Sequence, residues 1–129
     1  MPNPRQVLIV EDDDLLTQMY QASLANSGFV LRWEKDGESA WAALQSYVPD
    51  LVILDIMLPK MNGLEILTKL RSDPRLTHVA VVVMTSLMDP TDQQKALSLG
   101  ATAYWVKKDV NMLTFANSLQ SFLPPAPAV

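Results

Sequence analysis

The sequence predicts an α/β protein, a doubly wound sheet of five parallel strands with five helices over its two faces. Three observations carry this reading. Short β-branched or aliphatic runs recur at 7–10, 30–33, 51–54, 79–84 and 104–106. The segments between them place apolar residues three and four apart, the period of a helix. The first, third and fourth runs are apolar almost without interruption, as strands covered on both faces must be.

Taken in order, the first strand, Val-Leu-Ile-Val at 7–10, precedes a helix whose stripe is Leu15, Leu16, Met19, Tyr20 and Leu24, with Gly28 as its stop. The second strand contains Arg32 and is the least apolar long run, so it belongs at an edge. With right-handed crossovers, that favours the strand order 2-1-3-4-5. The second helix starts after Asp36, places Ala40, Ala43, Leu44 and Tyr47 on one side, and ends at Pro49.

The third strand, 51–54, leads to a helix opening at Asn62 with Glu65 three residues on, the spacing of a capping box. Leu64, Leu67 and Leu70 form its apolar face and Asp73-Pro74 stops it. After the fourth strand, Asp89 is an N-cap, Pro90 sits at the first helical position where a missing N–H costs nothing, and Gly100 closes the helix. The fifth strand is followed by a helix from about Asp109, with Met112, Phe115, Ala116, Leu119 and Phe122 inward and Pro124-Pro125 as terminator. The expected organisation is one domain over 1–123 and a Pro-rich tail over 124–129, frayed from Ala126 on.

Composition excludes several classes. The chain has 129 residues, 49% hydrophobic and 19% charged, ordinary for a globular domain. With no Cys there are no disulfides and no thiolate metal site. A net charge of −4 without a Lys/Arg-rich segment argues against direct nucleic-acid binding. The N-terminal Met-Pro-Asn-Pro-Arg lacks the apolar run of a signal peptide. No segment approaches the ~20 apolar residues of a membrane span. The expectation is a cytoplasmic protein without membrane contact.

In a doubly wound sheet, ligands bind beyond the carboxyl ends of the strands, where the first and third strands diverge. Glu11, Asp12 and Asp13 follow the first strand, Asp55 the third, Thr85 and Ser86 the fourth, Lys107 and Lys108 the fifth. Carboxylates ~4 Å apart repel by about 4 kcal/mol at an effective dielectric of 20. Protonation relieves that repulsion, or a divalent cation and a lysine offset it. Oxygen-only donors suit magnesium, and acids, magnesium, a hydroxyl and a lysine together suit a phosphoryl group in flight. Asp13 and Asp14 read as helix caps. Trp33, Trp41 and Trp105 read as packing, His78 as structural or exposed, and the seven Met as core filling.

Four blocks stand at these strand ends: Val-Leu-Ile-Val-Glu-Asp-Asp at 7–13, Pro-Asp-Leu-Val-Ile-Leu-Asp-Ile-Met-Leu-Pro at 49–59 with Gly63 beyond, Val-Met-Thr-Ser at 83–86, and Gly-Ala-Thr-Ala-Tyr-Trp-Val-Lys at 100–107. Together and in this order, the chain resembles a receiver domain of two-component response regulators over about 7–122. The resemblance implies the flavodoxin-like, CheY-like three-layer αβα fold. It implies that Asp55 takes a phosphoryl group from a sensor histidine kinase or phosphotransfer protein. Asp12, Asp55 and the backbone carbonyl of Met57 would bind Mg2+, or Mn2+ in its place, with Glu11 beside the ion directly or through water. Thr85 and Lys107 would hold the phosphoryl oxygens, Tyr104 would swing inward as the switch, and Pro59 and Gly63 would shape the loop after Asp55. Such a chain is no enzyme beyond its own phosphorylation and dephosphorylation. The resemblance also implies a protein target on the face of the fourth helix, fifth strand and fifth helix, and leaves a homodimer open.

Two positions depart from the family pattern. Lys108 stands where the family usually has proline, often after a cis bond; a cis bond before a non-proline residue costs ~2.5–4 kcal/mol, so the bond here is expected to be trans or visibly strained. Ser86 follows Thr85 where a smaller residue is common. The competing readings are a degenerate receiver that binds partners without phosphate, a small magnesium phosphohydrolase with an aspartyl nucleophile, and a flavodoxin-like cofactor carrier. Retention of Asp12, Asp55, Thr85 and Lys107 argues against the first. The nucleophile's place on the third strand argues against the second. Acids after the first strand, which repel phosphate, argue against the third.

Overall fold

A computed structural model of the chain describes residues 4–86 and 88–124. Its elements alternate throughout: β1 (Gln6–Val10), α1 (Asp14–Leu24), β2 (Val30–Glu34), α2 (Gly37–Leu44), β3 (Leu51–Asp55), α3 (Gly63–Ser72), β4 (Ala80–Thr85), α4 (Pro90–Ser98), β5 (Ala103–Val106) and α5 (Phe115–Gln120), with a 3-10 turn at Lys107–Asp109. All strands are parallel, in the order β2-β1-β3-β4-β5. No helix among the described residues is long and apolar enough to cross a membrane.

The period of two along each strand splits the core into two layers. Leu8, Val10, Val52, Leu54, Val81 and Val83 face α2, α3 and α4. Val7, Ile9, Leu51, Ile53, Val82 and Met84 face α1 and α5, where Tyr20, Leu24, Phe115 and Leu119 meet them. This sorting decides which side chains at the strand ends can meet.

Four helices open on a side-chain cap at the carboxyl edge of the sheet. Asp13 accepts the Leu16 N–H at 3.0 Å, Asp36 that of Ser39 at 2.7 Å, Asn62 that of Glu65 at 3.0 Å and Asp89 that of Thr91 at 2.9 Å. Each cap satisfies an N–H that the helix leaves without a partner. Asp13 is therefore the cap of α1, and Asp14 is its first residue, ion-paired with Lys35 at 3.4 Å.

The structure corrects three details. In α1 the buried face is Thr17, Tyr20 and Leu24, while Leu15 and Met19 are exposed. Capping at Asp13 sets this phase, and the Thr17 hydroxyl is satisfied by donating to the Asp13 carbonyl at 3.0 Å. Helix α2 ends at Leu44, well before Pro49, where Arg75 reaches across to donate to the Leu44 and Gln45 carbonyls. Helix α5 starts at Phe115, later than 109. Val110 is extended, and the Asn111 side chain accepts the Leu113 N–H at 2.9 Å, an Asx turn that delays the helix. Met112, Ala116 and Phe122 still pack, half-buried, against the core. The expected tail lies outside the described residues from 125 on.

Candidate functional site

The strands end in register, so the residues at their carboxyl ends share one edge. Val10 pairs with Leu54, Asp55 with Met84, and Thr85 with Val106. Strand periodicity then sorts the polar residues. Glu11, Asp55 and Lys107 continue the rows that face α1 and α5, whereas Thr85 continues the row that holds Val83 and faces α2–α4.

The first group converges. One carboxylate oxygen from each of Glu11, Asp12 and Asp55 lies within 4.8 Å of the other two. The Lys107 Nζ sits 2.9 Å from Glu11 Oε1 and 3.0 Å from Asp55 Oδ2. Glu11 is 2% and Asp55 4% exposed, while Asp12 opens to solvent. Asp12 and Met57 also line a groove of about 560 Å3 leading to the cluster. Three acids facing one ammonium leave a deficit of positive charge. Burial, and then the charge of Asp55, raises the Glu11 pKa to about 7 against the opposing pull of Lys107. Burial alone would lower Lys107, but hydrogen bonds and charge from Glu11 and Asp55 outweigh it and hold its pKa above the usual lysine value. An all-oxygen donor set, two members buried and one open to water, fits a hard divalent cation that keeps part of its hydration shell.

The loop after Asp55 is held tightly. The Met57 N–H donates to Asp55 Oδ1 at 3.1 Å, so one carboxylate oxygen is fixed by the backbone and the other by Lys107. Gly63 donates its N–H to the Ile56 carbonyl at 2.9 Å, and a Cβ there would lie 2.3 Å from the Asp55 carbonyl oxygen. Lys60 adopts a left-handed φ of 69°. The Pro59 carbonyl accepts the Met61 N–H at 2.8 Å and the Gly37 N–H at 3.3 Å. The Met57 side chain is exposed, which leaves only its backbone to serve the cluster.

The second group lies one strand over. Thr85 is buried beside Tyr104, which is only 8% exposed and belongs to the α2–α4 layer of the core. Tyr104 therefore occupies the inward position in this structure. Burial raises the Tyr104 pKa, and the buried Tyr104 hydroxyl has no hydrogen-bond partner among the described residues. Ser86, Lys108 and His78 are exposed. The Lys107–Lys108 bond is trans, and no peptide bond among the described residues is cis.

Sequence reasoning missed four residues around the cluster. The Trp33 indole N–H donates to the Glu11 carbonyl at 2.7 Å. A Cβ at Gly37 would lie 1.9 Å from the Met61 carbonyl oxygen, so α2 starts hard against the loop after Asp55. Lys60 takes a conformation that only a structure displays. Tyr20, buried against Phe115 with ring centres 5.4 Å apart, lies beneath the acids; burial and the charges of Glu11 and Asp55 raise its pKa and keep it neutral. The strand order would have found Trp33, because β2 lies beside β1 and ends next to Glu11.

Comparison with known proteins agrees with this geometry. The polar-differentiation response regulator DivK of Brucella anthropi is 29% identical over 123 residues, covering 95% of this chain and 99% of DivK. The gliding motility regulatory protein of Myxococcus xanthus is 29% identical over 114 residues, and the match spans only 15% of that protein's length. Among solved structures, the Mn2+-bound form of response regulator Rcp1 superposes with a TM-score of 0.84 at 29% identity, covering 97% of this chain and 100% of that one. The phosphorylated cyanobacterial phytochrome response regulator RcpA gives 0.84 at 27% identity, covering 97% and 99%. A family model for the response regulator receiver domain matches residues 7–118. With that match over most of its length, and with this fold, the chain belongs to the receiver domains of two-component response regulators.

Proposed function

We propose that Asp55 is the phosphoacceptor of a magnesium-dependent switch, and that the domain relays a signal from a histidine kinase or phosphotransfer protein to a protein target. The observation that carries this is the convergence of Glu11, Asp12, Asp55 and Lys107 at one edge of the sheet. Relatives captured with Mn2+ and in a phosphorylated form support it.

Asp12, Asp55 and the Met57 carbonyl would hold the ion, with Glu11 beside it directly or through water. Bound there, the ion supplies positive charge to the phosphoryl oxygens. Lys107 and the Met57 N–H orient the Asp55 carboxylate before reaction. A carboxylate oxygen attacks phosphorus in line; its O–P bond forms as the P–N bond of the phosphohistidine breaks, and the electron pair leaves with the imidazole nitrogen. Lys107 then passes from the carboxylate to the phosphoryl oxygens, and Thr85 donates its hydroxyl to them. Water later attacks phosphorus, and the O–P bond breaks to return the carboxylate and release inorganic phosphate.

Thr85 and Tyr104 couple this event to the α4–β5–α5 face. Drawing Thr85 toward the phosphoryl group removes it from Tyr104 and biases the position of that ring, so the equilibrium of the face shifts. Pro59 and Gly63 keep the loop after Asp55 in the shape this requires. The functional unit is the domain over 1–123, followed by a Pro-rich tail. It acts in the cytoplasm and catalyses nothing beyond its own phosphorylation and dephosphorylation.

Incubation with acetyl phosphate, with and without Mg2+, followed by intact mass, tests the proposal. The expected result is a single phosphoryl adduct that requires the ion and is absent in Asp55→Asn. An adduct that survives Asp55→Asn, or multiple turnover without an adduct, contradicts it.

A further inference from the structure

We propose that Trp33 is a positioning residue for the acidic pair Glu11–Asp12, holding the loop after β1 in its ion-binding shape through its indole N–H. The proposal rests on reading the acidic cluster as a divalent-cation site.

Both backbone groups of Glu11 are bound by β2. Its N–H donates to the Glu34 carbonyl at 3.1 Å, and its carbonyl accepts the Trp33 indole N–H at 2.7 Å. That carbonyl belongs to the peptide joining Glu11 to Asp12. Fixing it fixes the peptide plane, and with it the direction in which Asp12 leaves the strand. The Asp13 N–H donates to Glu11 Oε2 at 3.3 Å, which ties the next residue to the same carboxylate.

The arrangement follows from topology. β2 is an edge strand, and its register, Ile9 with Trp33 and Val10 with Glu34, brings Trp33 level with the last turnless stretch of β1. The indole is half-buried against the α1/α5 core layer. Lys35 covers the ring, its Nζ 5.0 Å from the ring centre, and the same ammonium reaches Asp14 at the start of α1 at 3.4 Å. Edge strand, acidic loop and helix start are thereby strapped together.

The strap has a physical task. Glu11, Asp12 and Asp55 repel one another, and a loop free to move would splay its acids apart before an ion arrives. A loop already pinned does not incur that ordering cost on binding. If Trp33 only filled space, trimming it to phenylalanine would lower stability and leave ion affinity unchanged, because the ring contacts do not use the N–H.

Trp33→Phe keeps an aromatic ring, smaller than the indole, and removes the donor. We expect its Mg2+ dissociation constant, read from amide shifts in a 15N NMR titration, to rise about tenfold, the scale at which outer contacts tune metal affinity. Trp41→Phe, remote from the cluster, should bind Mg2+ as the unaltered chain does. Equal affinity in Trp33→Phe, even with a lowered melting temperature, overturns the proposal and leaves Trp33 as packing alone. An unaltered chain that binds no Mg2+ overturns the reading of the cluster and this proposal with it. Should Trp33→Phe fail to fold, the Trp33 indole N–H resonance of the unaltered chain decides. It should shift with the same midpoint as the Asp12 amide, and a resonance unmoved by saturating Mg2+ overturns the proposal.

Discussion

At the carboxyl edge of the sheet three acids face one lysine; at the amino edge arginines face backbone carbonyls. The Arg71 guanidinium donates to the carbonyls of Gly100 at 3.0 Å, Thr77 at 3.0 Å and Leu76 at 3.3 Å. Arg75 donates to the Leu44 carbonyl at 3.0 Å and also chelates Asp73. In a parallel βα fold all helix N-termini gather at one edge and all C-termini at the other. Acids at the first edge and cations at the second both suit the helix dipoles. The edges differ in balance. The cations of the amino edge are matched by acceptors, whereas the carboxyl edge keeps more negative charge than Lys107 neutralises. The first is arranged for stability, and the second carries the charge imbalance on which the proposed function rests.

The largest effect expected is at the carboxyl edge. Asp55→Asn should abolish the phosphoryl adduct entirely by intact mass, while Arg71→Ala should leave its rate unchanged. Next comes Gly63→Ala, which drives a methyl into the Asp55 carbonyl. We expect a loss of about 3 kcal/mol in urea unfolding, the upper range for overpacking, together with slowed phosphorylation because the loop must shift.

The pH dependence sharpens the contrast. Glu11 is raised to about 7 by burial, so between its unfolded value of 4.5 and about 7 the folded chain holds more protons than the unfolded one. Stability from this group is fully present below 4.5 and is lost as pH rises through 7, by at most about 3 kcal/mol without a cation. Glu11→Gln should remove that loss, so the metal-free variant should be more stable than the unaltered chain at pH 8 and similar at pH 4.5 by urea unfolding. The smallest effect is at the amino edge. Arg71→Ala removes the guanidinium from three carbonyls, of which Leu76 still accepts the Val79 N–H, and should cost about 2 kcal/mol, with no change in Mg2+ affinity.

The strand order, the two-faced core and the cluster at the strand ends were legible because each depends on periodicity or topology. Arg32 marked β2 as the edge strand, and the acids after the first and third runs had to meet once those strands paired. Helix phase was less legible. Leu15 and Met19 fit an apolar stripe as well as Thr17 does, and only the cap at Asp13 decides between them. The start of α5 depends on a local competition, the Asn111 side chain against the backbone, that apolar spacing does not report. Trp33 was read as packing because its chemistry lies in one N–H whose acceptor, Glu11, is 22 residues away in sequence.

The most direct test is a Mg2+ titration of the 15N-labelled chain by NMR. The account predicts saturable shifts at the amides of Glu11, Asp12, Asp55 and Met57 with a single midpoint, and none at Arg71, Arg75 and Gly100. No saturable shift at the acids, or shifts centred on the amino edge, would contradict it.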